Sequence, residues 1–312
     1  MIIAKSHVGI SITGQHIMLV RIKARSMKRV KLATLGKLPL AAGSYSDGLV
    51  LNKQVILEQL ADLVKEKRLL RRSAAIAVNP RQAVIRPVRI PHMPEKEMRK
   101  ALEFEISRYS SFSNAPFTMD YLKQGAVTEE GVSQEELLVI AIKDSVLNDL
   151  CAIVKHAGLK IKAVDIEPNA FIYLRSFAAA QGIWPALEED WAAVELGEGK
   201  TMVAFFRKDI LQFVHTIPLT FVDEPDVIGD ILRELQRSLD YYHLNLKKPQ
   251  TKQIYVWGAE AEKALPQFQE ALPYNMTHLP LSSLAAKLKV APETLTDEAI
   301  LALGMALREV VK

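Results

Sequence analysis

The chain has 312 residues, which is long enough for two domains and a large buried core. Forty basic residues against 36 acidic ones give a net charge of +4, and 49% of the residues are hydrophobic. This balance is typical of a globular protein and gives no support for nucleic-acid binding. No apolar run approaches the roughly 20 residues that span a bilayer, and no signal-peptide pattern opens the chain, so we expect a cytosolic protein.

Two segments are locally basic, KARSMKRVK at Lys23 to Lys31 and KEKRLLRR at Lys65 to Arg72. The first interpretation is a solvated loop and a helix end, because cations suit the C-terminal end of a helix. Contact with anionic lipid or with an acidic partner is the alternative. The seven histidines are dispersed and the single cysteine has no partner in the chain, so we expect neither a metal site nor a disulfide.

A three-stranded β-meander is predicted at the beginning of the chain. The apolar runs VGISI and IMLVRIK are joined by a polar tip at Thr13 to His16, and a third run ends in LGKLPL. An amphipathic helix follows, and then the short apolar run SAAIAV, which predicts a buried strand. The apolar face of the helix consists of Ile56, Leu60, Leu63 and Val64.

The same pattern returns in the second half of the chain. The runs AAVEL, TMVAFF and ILQFVHTIPL form a second meander from Ala192, and the strand QIYVW follows a second amphipathic helix. The apolar face of that helix consists of Ile231, Leu235, Leu239 and Tyr242. Two copies of a β-β-β-α-β unit therefore predict an α/β fold with two duplicated lobes.

An additional block separates the two copies. It contains a helix that begins at Pro94, a strand, the buried strand ELLVIAIK, and a helix capped by Asp144 or Ser145 that ends at Gly158. This block predicts a subdomain inserted in the first lobe at about residues 88–156. The aperiodic segment Gly182 to Asp190 is the best linker, so the expected lobes are 1–181 and 182–296. The helix at 297–311 has an apolar face and is expected to pack back on the first lobe.

A duplicated core of this kind resembles the actin-like ATPase superfamily, a ribonuclease H-like fold in which two lobes close on a nucleotide. Within it, the chain resembles the PilM family, the cytoplasmic actin-like proteins of type IV pilus assembly, over nearly its whole length. Four segments carry the resemblance: IPHMPEKEMRKALEFEISRYSSF, LLVIAIKDSVLNDLCAIVKHAGLKIKAVDIEPNA, ELQRSLDYY and ALGMALR. A helix-rich block inserted in the first lobe is specific to this family and to its cell-division relatives.

The first nucleotide loop of the superfamily is altered in this chain. Nucleotide-binding members carry Asp-Ile-Gly and, a few residues later, Lys. The glycine lets backbone N–H groups approach phosphate, and the carboxylate orients Mg²⁺ through water. The resemblance aligns Ser11, Thr13 and Met18 with these three groups, so all three are missing. Gly14 lies one position late, in a turn that needs glycine anyway.

The second phosphate loop is less altered. Its Asp-Ile-Gly counterpart is Glu195-Leu196-Gly197, with Gly199 and Thr201 nearby and Lys200 as a candidate phosphate ligand. The string GEGKT imitates the end of a P-loop, but Val194 occupies the position where that motif needs glycine. The residues that follow are strand-like, so the P-loop interpretation is rejected. Glu195 is either a metal-orienting group or a surface acid at a hairpin end.

The adenosine loop, where paired glycines are expected, has the bulky Trp257 before a single Gly258. Asp165 and Glu167 lie on alternate residues, a spacing that suits acid–base chemistry. The resemblance instead assigns them to structure, with Glu167 capping the helix that begins near Pro168. We therefore expect no catalytic residue, no metal site and no cofactor, with binding of ATP and Mg²⁺ weak or absent.

The resemblance implies a non-catalytic scaffold at the inner face of the cytoplasmic membrane. Members of the family hold the short cytoplasmic N-terminal segment of a bitopic, PilN-like membrane protein in a groove between the first lobe and the inserted subdomain. Extended peptides are recognised through apolar pockets and backbone groups. The predicted groove residues are Tyr109, Phe112 and Phe117, although each ring is equally well explained as core. Further pilus assembly proteins are expected as partners, and nucleic acid is not.

Two alternatives remain at this point. One is a nucleotide-dependent ATPase or small-molecule kinase of the same superfamily, which would need the phosphate and metal groups that the first turn lacks. The other is the equivalent scaffold of a type II secretion system or a competence pilus. Nucleotide binding distinguishes the first alternative, and the identity of the membrane partner distinguishes the second.

Overall fold

The structure is a computed structural model that describes residues 4–109, 112, 115–129, 131–184, 189–197, 200–219, 224–258 and 260–311. In chain order, the elements up to residue 180 are β1 (Lys5–Ile12), β2 (His16–Ser26), β3 (Arg29–Pro39), β4 (Tyr45–Ser46), β5 (Leu49–Val50), α1 (Lys53–Glu66), β6 (Ser73–Val78), β7 (Ala83–Pro91), α2 (Glu95–Ser107), β8 (Phe117–Glu129), β9 (Val132–Lys143), α3 (Asp144–His156), β10 (Lys160–Ile166) and α4 (Glu167–Ala180). The later elements are β11 (Asp190–Gly197), β12 (Lys200–Arg207), β13 (Ile210–Ile217), α5 (Pro225–Asp240), β14 (Gln253–Trp257), α6 (Ala261–Ala271), β15 (Asn275–His278), α7 (Leu281–Leu288) and α8 (Ala299–Val311).

The two lobes contain sheets of the same topology. The first sheet has the order β10-β6-β1-β2-β3 and the second has the order β13-β12-β11-β14-β15. In each, a meander is followed by a helix and a strand that pairs in parallel with the first strand of the meander. The predicted duplication is therefore confirmed. It also extends further than predicted, because a second helix and a fifth strand follow in both lobes and give the unit β-β-β-α-β-α-β.

Both faces of the first sheet are covered, which explains its nearly continuous apolar strands. Helices α1 and α3 cover one face and form a core with the side chains of β1 and β6. Helices α4 and α8 cover the opposite face. Helix α4 also packs against the inner face of the second sheet, where Phe171 contacts Trp257, and Trp191 and Phe206 stack with ring centroids 4.2 Å apart. The two lobes therefore share one central core.

The inserted subdomain consists of β7, α2, β8 and β9. Its sheet has the order β7-β9-β8, and α2 buries Met98, Leu102 and Ile106 against it. The prediction extended the insertion to residue 156, but α3 packs on α1 within the first lobe and corresponds to α6 of the second. The insertion therefore lies between the end of β6 and Lys143.

The inserted subdomain is also bound to the second lobe. The side-chain amide of Gln124 donates to the backbone oxygens of Leu211 and Gln212, each at 3.0 Å. The buried carboxylate of Glu136 forms an ion pair with the buried ammonium of Lys248. These contacts hold the insertion, which is continuous with the first lobe, against the second lobe.

Helix α8 returns to the first lobe and packs between β1 and α4. The approach is close enough that a Cβ atom on Gly9 would lie 1.9 Å from the backbone oxygen of Ala302. A Cβ atom on Gly304 would lie 2.5 Å from the backbone oxygen of Ala170. Glycine at both positions therefore permits this packing. None of the helices in the described part of the chain has the length and apolar character needed to cross a membrane.

Candidate functional site: the interlobe cleft and an apolar groove

A cavity of about 590 Å³ lies between the two lobes. The β1–β2 turn, with Thr13 and Gly14, forms part of its wall. This turn is closed by its own hydrogen bonds, because the backbone N–H of Thr13 donates to the oxygen of His16 at 2.9 Å and the N–H of His16 donates to Thr13 Oγ1 at 3.1 Å. The polar groups of Thr13 are therefore engaged within the hairpin.

Three buried charged side chains form the opposite wall of the cavity. The ammonium of Lys200, at the start of β12, contacts the carboxylate of Glu167 in the first turn of α4. Its distance to Glu195 Oε2, on β11, is 3.6 Å. All three residues are at most 6% exposed. Because Glu167 belongs to the first lobe and the other two belong to the second, this ion triad joins the lobes across the cleft.

Burial and mutual attraction oppose one another in the triad. Burial and, to a smaller extent, the neighbouring charge of Glu167 raise the pKa of Glu195 to about 7, against the attraction of Lys200. Burial lowers the pKa of Lys200, but the two carboxylates outweigh it and hold that pKa above its usual value. The ammonium is therefore charged at neutral pH, and Glu195 titrates near neutrality. Glu195 Oε2 has no hydrogen-bond partner among the described residues.

Two positions of the first predicted phosphate loop lie inside the sheet. Ser11 is 1% exposed, and its hydroxyl has no hydrogen-bond partner in the described part of the chain. Its cross-strand neighbour is Met18, which is fully buried in the central core. The position where nucleotide-binding relatives have a lysine therefore contributes an apolar side chain to the interior.

The remaining predicted nucleotide-site residues have structural contacts. A Cβ on Gly197 would lie 3.1 Å from Glu195 Oε1, so glycine leaves room for that carboxylate. Thr201 donates its hydroxyl to the backbone oxygen of Leu219 at 2.9 Å. Gly258 has φ +114°, and its N–H donates to Asp297 Oδ1 at 3.0 Å. Gly199 lies outside the described residues.

Asp165 and Glu167 do not act as a pair. Asp165 accepts hydrogen bonds from Tyr173 at 2.6 Å and from Arg308 at 2.7 Å, which connects β10, α4 and α8. Glu167 makes no side-chain cap for α4 and instead contacts Lys200. The predicted capping role of Glu167 is therefore replaced by the interlobe ion pair. No sequence signal connects Glu167 with Lys200, which are 33 residues apart.

A second cavity, an apolar groove of about 480 Å³, lies between the inserted subdomain and the first lobe. Its walls come from β8, β9, α3, β10, α4, α8 and the start of β13. The apolar residues of the lining include Leu122, Ile140, Ile142, Leu147, Val164, Ile166, Ile172, Leu211, Ile210 and Val311. Two of them, Ile210 and Val311, are 42% and 39% exposed, respectively.

The groove also offers polar groups. Asn169 is 9% exposed, and its Nδ2 donates to Asp165 Oδ1 at 2.7 Å, while its Oδ1 has no hydrogen-bond partner among the described residues. Strand β10 contributes three consecutive residues to the lining and, within the described chain, pairs only with β6. An edge strand of this kind presents free backbone N–H and C=O groups.

The three aromatic residues predicted to line a peptide groove lie elsewhere in the inserted subdomain. Phe112 is 5% exposed and belongs to the core under α2. Phe117 packs against it with ring centroids 5.7 Å apart, and Tyr109 packs against the same core. Phe112 is thus buried, and Tyr109 and Phe117 are half-buried against the same core, which accounts for the aromatic residues of this stretch. The groove between the subdomain and the first lobe is lined by other residues, and only the positions of their strands could be predicted.

Two lobes of identical topology around a central cleft define an actin-like ATPase fold. The sequence pattern of the family described as type IV pilus assembly protein PilM matches residues 9–215. The chain belongs to this family of type IV pilus assembly proteins, as the resemblance predicted.

Solved structures with the same fold include a PilM–PilN type IV pilus biogenesis complex, with a TM-score of 0.79 and 20% identity over 97% of this chain and 98% of that chain. A Bacteroides thetaiotaomicron protein with an actin-like ATPase fold gives a TM-score of 0.50 and 11% identity over 96% of this chain and 95% of that chain. The cytoplasmic domain of EpsL, an inner-membrane component of the type II secretion system of Vibrio cholerae, gives a TM-score of 0.50 and 12% identity over 87% of this chain and 97% of that chain. A comparison with curated protein sequences gives no match.

Proposed function

We propose that this protein is a non-catalytic scaffold that holds an extended peptide in the apolar groove between the inserted subdomain and the first lobe. The peptide is the N-terminal cytoplasmic segment of a PilN-like membrane protein. The observation that carries the proposal is the groove itself, which combines exposed apolar side chains with the unpaired oxygen of the buried Asn169. A structural relative of 20% identity is described as a PilM–PilN complex, which supports this class of partner.

The chemistry of the groove suits an extended peptide. Such a peptide can lie beside the edge strand β10, where backbone groups give affinity and pockets for alternate side chains give specificity. Asn169 Oδ1 can accept a hydrogen bond from a peptide N–H, which removes the cost of an unsatisfied buried oxygen. A membrane partner would hold the protein at the inner face of the cytoplasmic membrane, beside other pilus assembly proteins.

The interlobe cleft supports the non-catalytic part of the proposal. A Mg²⁺–nucleotide site needs free carboxylate and backbone groups, whereas Lys200 lies between the carboxylates of Glu167 and Glu195. The turn at Thr13 is closed on itself, and Met18 is in the core. These residues do not fit a Mg²⁺–ATP complex, so we derive no hydrolytic step. We expect ATP binding to be weak or absent.

Peptide binding tests the groove directly. A fluorescently labelled peptide with the sequence of the partner's N-terminal segment should bind the full chain, measured by fluorescence anisotropy. Ile210→Arg places a cation at the mouth of the groove and should weaken binding about thirtyfold, the size expected for losing a hot spot of about 2 kcal/mol. Leu244→Arg is the matched control, because Leu244 is an exposed apolar residue, 73% exposed, that lies outside the groove.

Both variants should melt at the wild-type temperature. Equal affinity of the two variants would contradict the groove, and absence of binding by the wild-type chain would contradict the scaffold proposal. Calorimetry with ATP and Mg²⁺ tests the other part of the proposal, since three missing phosphate or metal contacts shift a micromolar site towards millimolar. A low-micromolar dissociation constant would instead favour a nucleotide-dependent function.

A further inference from the structure

The fold brings separate basic segments of the sequence to one end of the first lobe. The parallel strands β1, β6 and β10 begin there, and the hairpin between β2 and β3 lies beside them, because Lys5 pairs with Ala24 and Lys160 pairs with Ser73. The segments 4–7, 21–31, 67–73 and 160–163 contain thirteen lysines and arginines and no acidic residue. We name this surface the basic end. Its cations are Lys5, Arg21, Lys23, Arg25, Lys28, Arg29, Lys31, Lys67, Arg68, Arg71, Arg72, Lys160 and Lys162.

The charges of the basic end repel one another. Lys23 and Lys31 are direct cross-strand neighbours, an arrangement that destabilises a sheet. Burial lowers the pKa of Arg21, and the charge of Arg72, in the loop before β6, lowers it further. Among the described residues, only Lys67 of the thirteen cations forms a salt bridge, with Glu66 at 2.8 Å. The protein therefore maintains a concentrated positive charge at a cost in stability.

The α1–β6 loop adds an apolar residue to this surface. Arg68 and Arg71 adopt left-handed backbone conformations with φ of 55° and 63°. Between them, the side chain of Leu70 is 57% exposed. No Phe, Tyr or Trp lies in the four segments, so base stacking lacks its usual platform there. Exposed cations around an exposed leucine are instead suited to a layered surface, in which the cations contact an anionic outer layer and the leucine reaches an apolar layer beneath it.

Outside the basic end, the chain carries 27 basic residues against 36 acidic ones, so the rest of the molecule is negatively charged. The five strands that reach this end span about 19 Å at a spacing of about 4.8 Å, which makes it broad rather than pocket-like. We propose that the basic end docks on anionic lipid headgroups of a membrane, with Leu70 reaching the acyl boundary. The charge asymmetry orients the molecule, because the negatively charged remainder is repelled by the same surface.

Vesicle co-sedimentation of the full chain tests this docking without any peptide partner. The chain should bind vesicles that contain phosphatidylglycerol and not vesicles of phosphatidylcholine alone, and binding should weaken as salt is added. Each cation near an anionic leaflet changes the partition constant roughly fivefold. The triple variant Lys23→Gln, Lys28→Gln and Lys160→Gln should therefore bind about a hundredfold more weakly.

The matched control is Lys96→Gln, Lys252→Gln and Lys287→Gln, which removes the same charge from exposed lysines elsewhere. It should retain wild-type binding, and both triple variants should melt close to the wild-type temperature. Equal losses in the two variants, or no binding to phosphatidylglycerol vesicles at low salt, would overturn the proposal. If the chain binds soluble polyglutamate but not the vesicles, the partner of the basic end is an acidic polypeptide and not a membrane. Failure here leaves the peptide groove unaffected, because that binding is measured without lipid.

Discussion

Replacing Lys200 with methionine removes the only cation of the interlobe triad and keeps a long side chain in its place. Glu167 and Glu195 then remain 3% and 6% exposed without a cation between them. Removing one partner of a buried ion pair costs about 3–5 kcal/mol, because the remaining charge stays desolvated. For a chain of 312 residues, each 1 kcal/mol lost from the free energy of unfolding lowers the melting temperature by about 1.5 °C. The melting temperature of the variant should therefore fall by about 5–8 °C.

Scanning calorimetry at neutral pH measures this change. Lys287→Met is the control, since Lys287 is exposed and the substitution is chemically identical. The double variant Glu167→Gln with Lys200→Met should regain part of the loss, because one buried charge has been neutralised. The reasoning is refuted if Lys200→Met melts within about 1 °C of the control, which would mean that water or a rearrangement solvates the two carboxylates.

Two further predictions concern the buried carboxylate of the cleft and the core of the inserted subdomain. The pKa of Glu195 is raised from 4.5 to about 7, so the folded protein retains a proton there that the unfolded chain has released, and stability should fall as pH rises through this window. Denaturant unfolding should show that the free energy of unfolding falls between about pH 5 and pH 8. In Glu195→Gln this fall should be smaller, by up to about 3 kcal/mol over the window. An unchanged pH dependence in the variant would contradict the assignment. Phe112→Ala should cost about 3–5 kcal/mol of stability, since the ring is 5% exposed in the subdomain core. If Phe112→Ala instead loses peptide affinity at an unchanged melting temperature, Phe112 is part of a binding surface and not of the core.

The two β-meanders and their first helices could be predicted from sequence, because each carries a hydrophobic period of its own. The residues Ile56, Leu60, Leu63 and Val64 are the buried face of α1, as their spacing predicted. The role of α3 could not be predicted in this way. Its apolar face shows that it is covered but does not show which sheet covers it, so the insertion was extended too far.

The candidate sites were harder to predict than the fold. The loss of the phosphate- and metal-binding residues could be predicted, because Ser11, Thr13 and Met18 depart from a known motif. The partnership between Glu167 and Lys200 depends on how two lobes approach each other, and no local pattern encodes that approach. Phe112 shows the converse difficulty, because an aromatic residue in a punctuated loop suits a groove and a small core equally well. Only its burial distinguishes them.

The position of α8 has a consequence for synthesis. Strands β1 and β6 leave the ribosome early, but the helix that covers one face of them is made only after the second lobe. Until then, that face of the sheet is covered by α4 alone, which leaves β1 and β2 exposed, and the apolar groove lacks Arg308 and Val311. The groove can therefore be completed only after residues 299–311 have been synthesised, so a nascent or truncated chain should bind the partner peptide more weakly than the full chain.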